Sequence, residues 1–217
     1  MDRGEVGDDG GGTDLTTLHL RAAVRGERAA LEWFVERFTP LLLAQASHRL
    51  GPELRRLTDP EDLVQDVWVR VLPRLAGLKP RAGRMTPVVL RFASSTLLNR
   101  LNTLLATHLR RRGEAGGAPD DELLPALAAE TTDAVGRSIK GERAEAVRGA
   151  IAALSADDRA VVVLRGIEQN PVQDVALLLG LLPNTVTVRY RRALARLREM
   201  VPGSVFDELG DEDPAGP

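Results

Sequence analysis

Between Asn184 and Arg192 the chain sets Asn184, Thr185, Thr187, Val188, Arg189, Arg191 and Arg192 within nine residues. Amides and hydroxyls hydrogen-bond to base edges, an apolar group meets a thymine methyl, and guanidinium groups reach phosphate, so this density suits DNA. A second set, Asp59, Glu61, Asp62 and Asp66, is acidic. Carboxylates repel DNA, and this set suits a protein partner, a solvated helix face or helix caps. Catalytic chemistry finds no matching pattern. His19, His48 and His108 are scattered without metal-ligand spacing, and there is no Gly-rich phosphate loop or nucleophile elbow. Cysteine is absent, which removes thiol nucleophiles, thiolate metal sites and disulfides together. The expectation is a protein that is not an enzyme and holds no metal or cofactor.

The elements that must present these groups are helical. Aromatic residues number only seven, while Leu, Ala and Arg are abundant, which favours helices over a β-sandwich or barrel. Asp59-Pro60-Glu61-Asp62 gives a cap residue, a proline at the first helical position and a capping-box acid. The run after it places Leu63, Val64, Val67, Trp68, Val71 and Leu72 on one side and Asp62, Gln65, Asp66 and Val69 on the other. Thr39-Pro40 and Thr86-Pro87 start or kink helices, and Ser155 to Asp158 and Asn170 to Gln173 repeat the start signal. A long helix is expected from about Thr86 to Arg112, with Phe92, Leu98, Leu101, Leu105 and Leu109 available for packing.

From Asn170 the pattern narrows. Val172, Val175, Ala176 and Leu179 make one apolar stripe, Gly180 permits a sharp turn, and a new helix opens at Pro183. On that helix Val186, Tyr190, Ala193 and Leu197 gather on one face; Asn184, Val188, Arg191, Arg192 and Ala195 lie opposite. A short helix, a tight turn and a second helix with polar residues near its start has the geometry of a helix-turn-helix entering a major groove. The same spacing also fits an ordinary helical hairpin with a solvated basic face.

The formal net charge of −2 conceals alternating blocks. Residues 1–17 carry −4 and are Gly- and Asp-rich, which predicts a disordered N-terminus. Residues 18–112 carry +9, the stretch 113–132 carries −5 with several glycines, 133–206 carries +3, and 207–217 carries −5. The expected fold is all-α. Two small helical domains, 18–112 and 133–206, are joined by a flexible acidic linker over 113–132 and followed by a solvated acidic tail from Asp207. Two basic blocks between acidic segments look like two polyanion-binding units. Flexible coil of the linker's length would hold its ends roughly 25 Å apart and let the domains move independently.

The segment from Leu154 to Glu168, followed by Val175 to Gly180 and Asn184 to Ala193, resembles region 4 of extracytoplasmic-function (group IV) sigma factors, the small specificity subunits of bacterial RNA polymerase. Thr185-Val186, Arg189 and Arg192-Ala193 match that family's Thr-Val, Arg and Arg-Ala spacing without a gap. The resemblance implies that this helix reads the upstream (minus 35) promoter element through Asn184, Thr185, Thr187, Val188, Arg189, Arg191 and Arg192.

Asp59 to Trp68 is similar to the most characteristic stretch of sigma region 2, an Asp, an acidic pair, then Leu-Val-Gln with an acid, an apolar residue and an aromatic. The resemblance implies that Asp62, Gln65, Asp66 and Val69 dock on the polymerase's largest subunit. It further implies that the following helix holds open the downstream (minus 10) element, with Arg84, Asn99, Arg100, Arg110, Arg111 and Arg112 as DNA contacts. Asn99 and Leu101 fit the family pattern, while Val88 stands where a Trp is usual and Ser95 where an Asn is frequent.

The expected partners are core RNA polymerase and promoter DNA, with an anti-sigma factor as a further candidate. No apolar run approaches the roughly 20 residues that cross a bilayer, and the start lacks the pattern of a signal peptide, so a cytoplasmic location without membrane insertion is expected. Two other readings compete. A stand-alone helix-turn-helix regulator would bind its operator without polymerase, and a helical adaptor would show no salt-dependent DNA affinity.

Overall fold

The computed structural model describes residues 15–111 and 141–210. Of the N-terminus expected to be disordered over 1–17, residues 1–14 lie outside these residues, but Leu15, Thr16 and Thr17 are the first residues of a helix, with Thr16 buried; the linker over 113–132, the end of the tail and Arg112 also lie outside the described residues. Every regular element described is helical; the one β feature is an isolated bridge between Arg81 and Arg84.

The first block contains α1 (Leu15–Val24), α2 (Arg28–Arg49), a single turn α3 (Pro52–Arg55), α4 (Pro60–Val71) and α5 (Thr86–Arg111). In α4, Asp59 takes the expected cap position with Pro60 at the first helical residue, but its side chain makes no capping bond; Leu63 N–H instead donates to the Asp59 carbonyl at 3.1 Å. Leu63, Val64, Val67, Trp68 and Val71 are all buried, as the periodicity requires. Thr39-Pro40 does not start a helix. It lies inside α2, buried with Phe38, Leu41 and Leu42, and the Thr39 hydroxyl accepts a hydrogen bond from Trp68 Nε1 at 2.9 Å. Burial on every side holds α2 together across the proline, whose missing N–H would otherwise favour a break. Thr86 does open α5. The basic loop before it closes as a tight turn, with Ala82 and Gly83 both at positive φ and paired hydrogen bonds between Arg81 and Arg84.

The second block contains α6 (Glu142–Ala152), α7 (Ala156–Val161) continued by a π turn over Val162–Ile167, α8 (Val172–Leu179) and α9 (Pro183–Met200), with a 3₁₀ turn at Val205–Asp207. Ser155 caps α7 by accepting from Asp158 N–H at 3.1 Å. Gly180 ends α8 in the left-handed conformation (φ 65, ψ 33), and Leu181 N–H closes back on the Ala176 carbonyl at 2.9 Å.

The two blocks share one core. Phe34, Phe38, Leu41 and Leu42 of α2 belong to the same apolar cluster as Val147 and Ile151 of α6, Val163 and Ile167 of the π turn, and Phe206. Helix α2 therefore packs against α1, α4 and α5 on one side and against α6 and the π turn on the other. The packed blocks differ from the independent ones that linker length alone predicts, because a shared apolar interface outweighs the freedom of the tether. The tail boundary moves too. The chain is folded through residue 210, with Phe206 and Leu209 buried and Glu208 hydrogen-bonded to the first block, so Asp207 does not begin a solvated tail.

Candidate nucleic-acid interface

Helices α8 and α9 are held against each other and the π turn by Val175, Ala176, Val186, Tyr190, Ala193 and Leu194, all buried. The Tyr190 ring fixes the crossing. Gly166 of the π turn lies so close that an added Cβ would sit 3.1 Å from Tyr190 Cε2 and 3.2 Å from its oxygen. The buried Arg165 guanidinium stands 5.6 Å from the centre of the same ring. A side chain at residue 166 would push the ring, and with it the helix that carries the candidate DNA contacts.

With one face of α9 packed, the other is open. Asn184, Val188, Arg191, Arg192 and Ala195 are exposed; Thr185, Thr187 and Arg189 are half-buried. Thr187 and Arg189 are among the expected contacts that already have partners. The Thr187 hydroxyl donates to the Pro183 carbonyl one turn back at 3.2 Å. Arg189 Nη1 donates to Asp157 Oδ2 at 2.8 Å, tying α9 to the first turn of α7. Beside the turn, Leu177, Leu178 and Leu182 are exposed at 84%, 62% and 73%. The α8 stripe extends to neither Leu177 nor Leu178, so their exposure follows from the sequence pattern, while Leu182 stands at the N-cap of α9, where its apolar side chain makes no capping bond.

The first-block residues separate into distinct groups. On α4, Asp62 is exposed and Gln65 and Val69 are half-buried. Asp66 is engaged, accepting from Arg100 Nε of α5 and lying 3.7 Å from the Arg70 guanidinium, itself 9% exposed. Arg100 therefore points at α4, where the sequence expectation had it on the downstream element. Arg84 is likewise engaged: it donates to the Glu208 carbonyl. Asn99 and Arg110 remain exposed on α5, Arg111 ends that helix, and neither Asn99 nor Arg110 is brought near α9's open face by any described contact. Leu101 is buried as expected, but Leu105 is 41% exposed, because the far end of α5 runs beyond the core.

Among the described residues no group of three His, Cys, Asp or Glu side chains is placed to hold an ion. His19 stacks on Trp33 with ring centres 3.9 Å apart, and burial, aided by the nearby Arg37 charge, holds its pKa below the ordinary imidazole value. Among the described residues no helix is long and apolar enough to cross a membrane.

The residues that sequence reasoning missed are acceptors. Asp157 was legible only as a start signal, and Glu168 and Glu208 carried no local pattern at all, yet each receives arginine from a distant element.

A search of curated proteins finds no match to the chain. The description of the sigma-70 region 4 family matches residues 144–197, from the first turn of α6 to the last turns of α9. The second helical block is thus similar to sigma-70 region 4 over those residues, and the helix-turn-helix made by α8 and α9 lies inside the match.

Proposed function

We propose that this protein is a sigma factor of the extracytoplasmic-function type, which binds core RNA polymerase and directs promoter recognition and transcription initiation. The observation that carries the reading is the region 4 match together with an α9 whose apolar face is packed and whose Asn184, Val188, Arg191 and Arg192 face is open. In this reading α9 enters the major groove of the upstream element with its N-terminal residues toward base edges and its later arginines toward phosphate. Asp62, with Gln65, Asp66 and Val69 around it, gives α4 an acidic docking surface in a block that is otherwise basic. Asn99, Arg110, Arg111 and Arg112 are the remaining candidates for the downstream element. The protein would act without catalysis of its own, in the compartment of the polymerase.

A stand-alone helix-turn-helix regulator is favoured by one observation, the single core shared by both blocks. Transcription in vitro with core polymerase and genomic DNA separates the two. A sigma factor gives specific initiation that depends on the protein and binds promoter DNA poorly alone; operator binding that is equally tight without polymerase would replace the sigma reading with the regulator.

A further inference from the structure

We infer that the cleft between the C-terminal ends of α2 and α6 binds a small molecule with one anionic head and an apolar body. The cleft has a volume of about 1050 Å³, at the upper end of the range for small-molecule sites. One wall comes from α2, α3 and the first turn of α4, the other from α6 and α7. Leu43 and Ile151 give it an apolar lining, at 3% and 2% exposure, which Ala44 and Ala152 complete. None of its lining residues is among the DNA or polymerase contacts proposed above.

The cationic part of the lining is held in place before any ligand arrives. Arg55 donates from Nε to the Leu50 carbonyl at 2.9 Å and from Nη2 to the Ser47 carbonyl at 2.7 Å, closing the end of α2. Arg159 does the same for α6, from Nε to the Ile151 carbonyl at 3.2 Å and from Nη2 to the Ala152 and Leu154 carbonyls at 2.7 and 3.1 Å. Both guanidinium groups are therefore fixed through Nε and Nη2, and among the described residues neither Nη1 has a partner. Those Nη1 groups are oriented, charged donors for an incoming anion, and they lose little freedom in binding it. His48 lines the same cleft. Partial burial lowers its pKa, the Arg49 and Arg159 charges add to that, and Glu168 opposes them, so the ring is neutral near pH 7 and offers one further hydrogen bond.

The acids of the lining restrict the form of the ligand. Glu145 is paired with Arg148, which leaves Glu61 and Glu142 as carboxylates open to the cleft. Glu142 opens α6 and Ala152 ends it, so the two lie about 15 Å apart along the axis, with the acid remote from the arginine end. A second negative charge on the ligand would meet these carboxylates. That excludes an extended polyanion such as DNA and leaves a single head followed by an uncharged body. The inference concerns binding alone and stands whether or not the protein is a sigma factor.

The test titrates the full chain with 8-anilinonaphthalene-1-sulfonate, a dye that carries one anionic head on an apolar body and brightens when it leaves water. One dye per chain is expected, with a Kd on the order of tens of micromolar for a ligand of that size. It should be displaced by 2-naphthoate and not by 2-naphthylmethylamine, the cationic counterpart. Ala152→Trp fills the cleft from an exposed position on α6, and His48→Glu replaces a donor on α2 by a negative charge. Each should weaken binding about tenfold or more while the melting temperature stays near that of the parent chain. Leu177→Ser with Leu178→Ser removes the exposed apolar patch on α8 and should leave binding unchanged. Absence of saturable binding, binding that survives Ala152→Trp or His48→Glu, or binding that falls with the leucine variant overturns the site. Equal displacement by the amine overturns the preference for an anionic head. If one cleft variant does not fold, the other, on a different helix, decides.

Discussion

Arg189 and Asp157 form an ion pair at 2.8 Å that joins the middle of α9 to the first turn of α7, 32 residues earlier. By family spacing Arg189 is a DNA contact, whereas here its guanidinium braces the helix that would carry the contacts. The pair is largely exposed, with Asp157 at 72%, so solvent screening leaves it a small contribution to stability of its own.

The first prediction follows from that position. Arg189→Ala should change stability little and leave the salt dependence of promoter binding nearly unchanged. Asp157→Asn should free the guanidinium for phosphate and steepen the salt slope by about one unit. Fluorescence anisotropy of holoenzyme on promoter DNA at several salt concentrations reads both. If Arg189→Ala itself flattens the slope by one unit, the pair opens on DNA and Arg189 is a phosphate contact after all.

A second prediction divides the acidic face of α4. Asp62 is exposed, so Asp62→Lys should remove polymerase co-purification with an unchanged melting temperature. Asp66 neutralises Arg100 and the buried Arg70, so Asp66→Lys sets three cations together and should cost about 3 kcal/mol or more of stability before any binding is measured. Equal melting temperatures for the two variants would show that the Asp66 cluster opens at little cost.

Helix positions and faces were largely legible, because they depend on local periodicity: Leu63 to Val71 and Val186 to Leu197 bury the side chains that a 3.6-residue repeat selects. What the sequence did not disclose is pairing at a distance. Arg49 and Glu168 lie 119 residues apart, and Arg37 and Glu208 lie 171 apart; nothing near any of them marks the partner. Thr39-Pro40 is ambiguous for a related reason. Its local signal fits either a helix start or a kink, and only burial between α4 and the rest of α2 explains why the helix runs on there. The same logic applies to Arg84 and Arg100, which the resemblance places among the downstream-element contacts and whose guanidinium groups here donate to the Glu208 carbonyl and to Asp66.

The third prediction tests the packing behind α9. Gly166→Ala places a methyl group 3.1 Å from the Tyr190 ring, closer than ordinary contact, with Arg165 already on that ring. Overpacking of this kind costs about 1 to 3 kcal/mol, and the urea midpoint should fall accordingly. An unchanged midpoint would mean that Tyr190 turns aside without loss, and that the ring does not set the crossing of α9.

The last prediction concerns which residues of α9 read sequence. Asn184 is exposed at the start of the helix and has both an amide donor and a carbonyl acceptor, the pair that matches adenine in the major groove. Val188, one turn on and 47% exposed, offers a methyl surface suited to thymine. Thr187 spends its hydroxyl proton on the Pro183 carbonyl, so it retains only acceptor capacity toward a base. Arg191 and Arg192 lie further along, exposed, where the helix leaves the groove floor. Asn184→Ala should therefore change upstream-element preference by about 1 to 3 kcal/mol at one base pair, and Thr187→Ala by less. Arg192→Ala should weaken all promoters alike and flatten the salt slope by about one unit. Holoenzyme binding to a promoter library at two salt concentrations separates these outcomes. If Asn184→Ala and Arg192→Ala shift every sequence equally, α9 positions the protein on the duplex and the reading of bases belongs to another element.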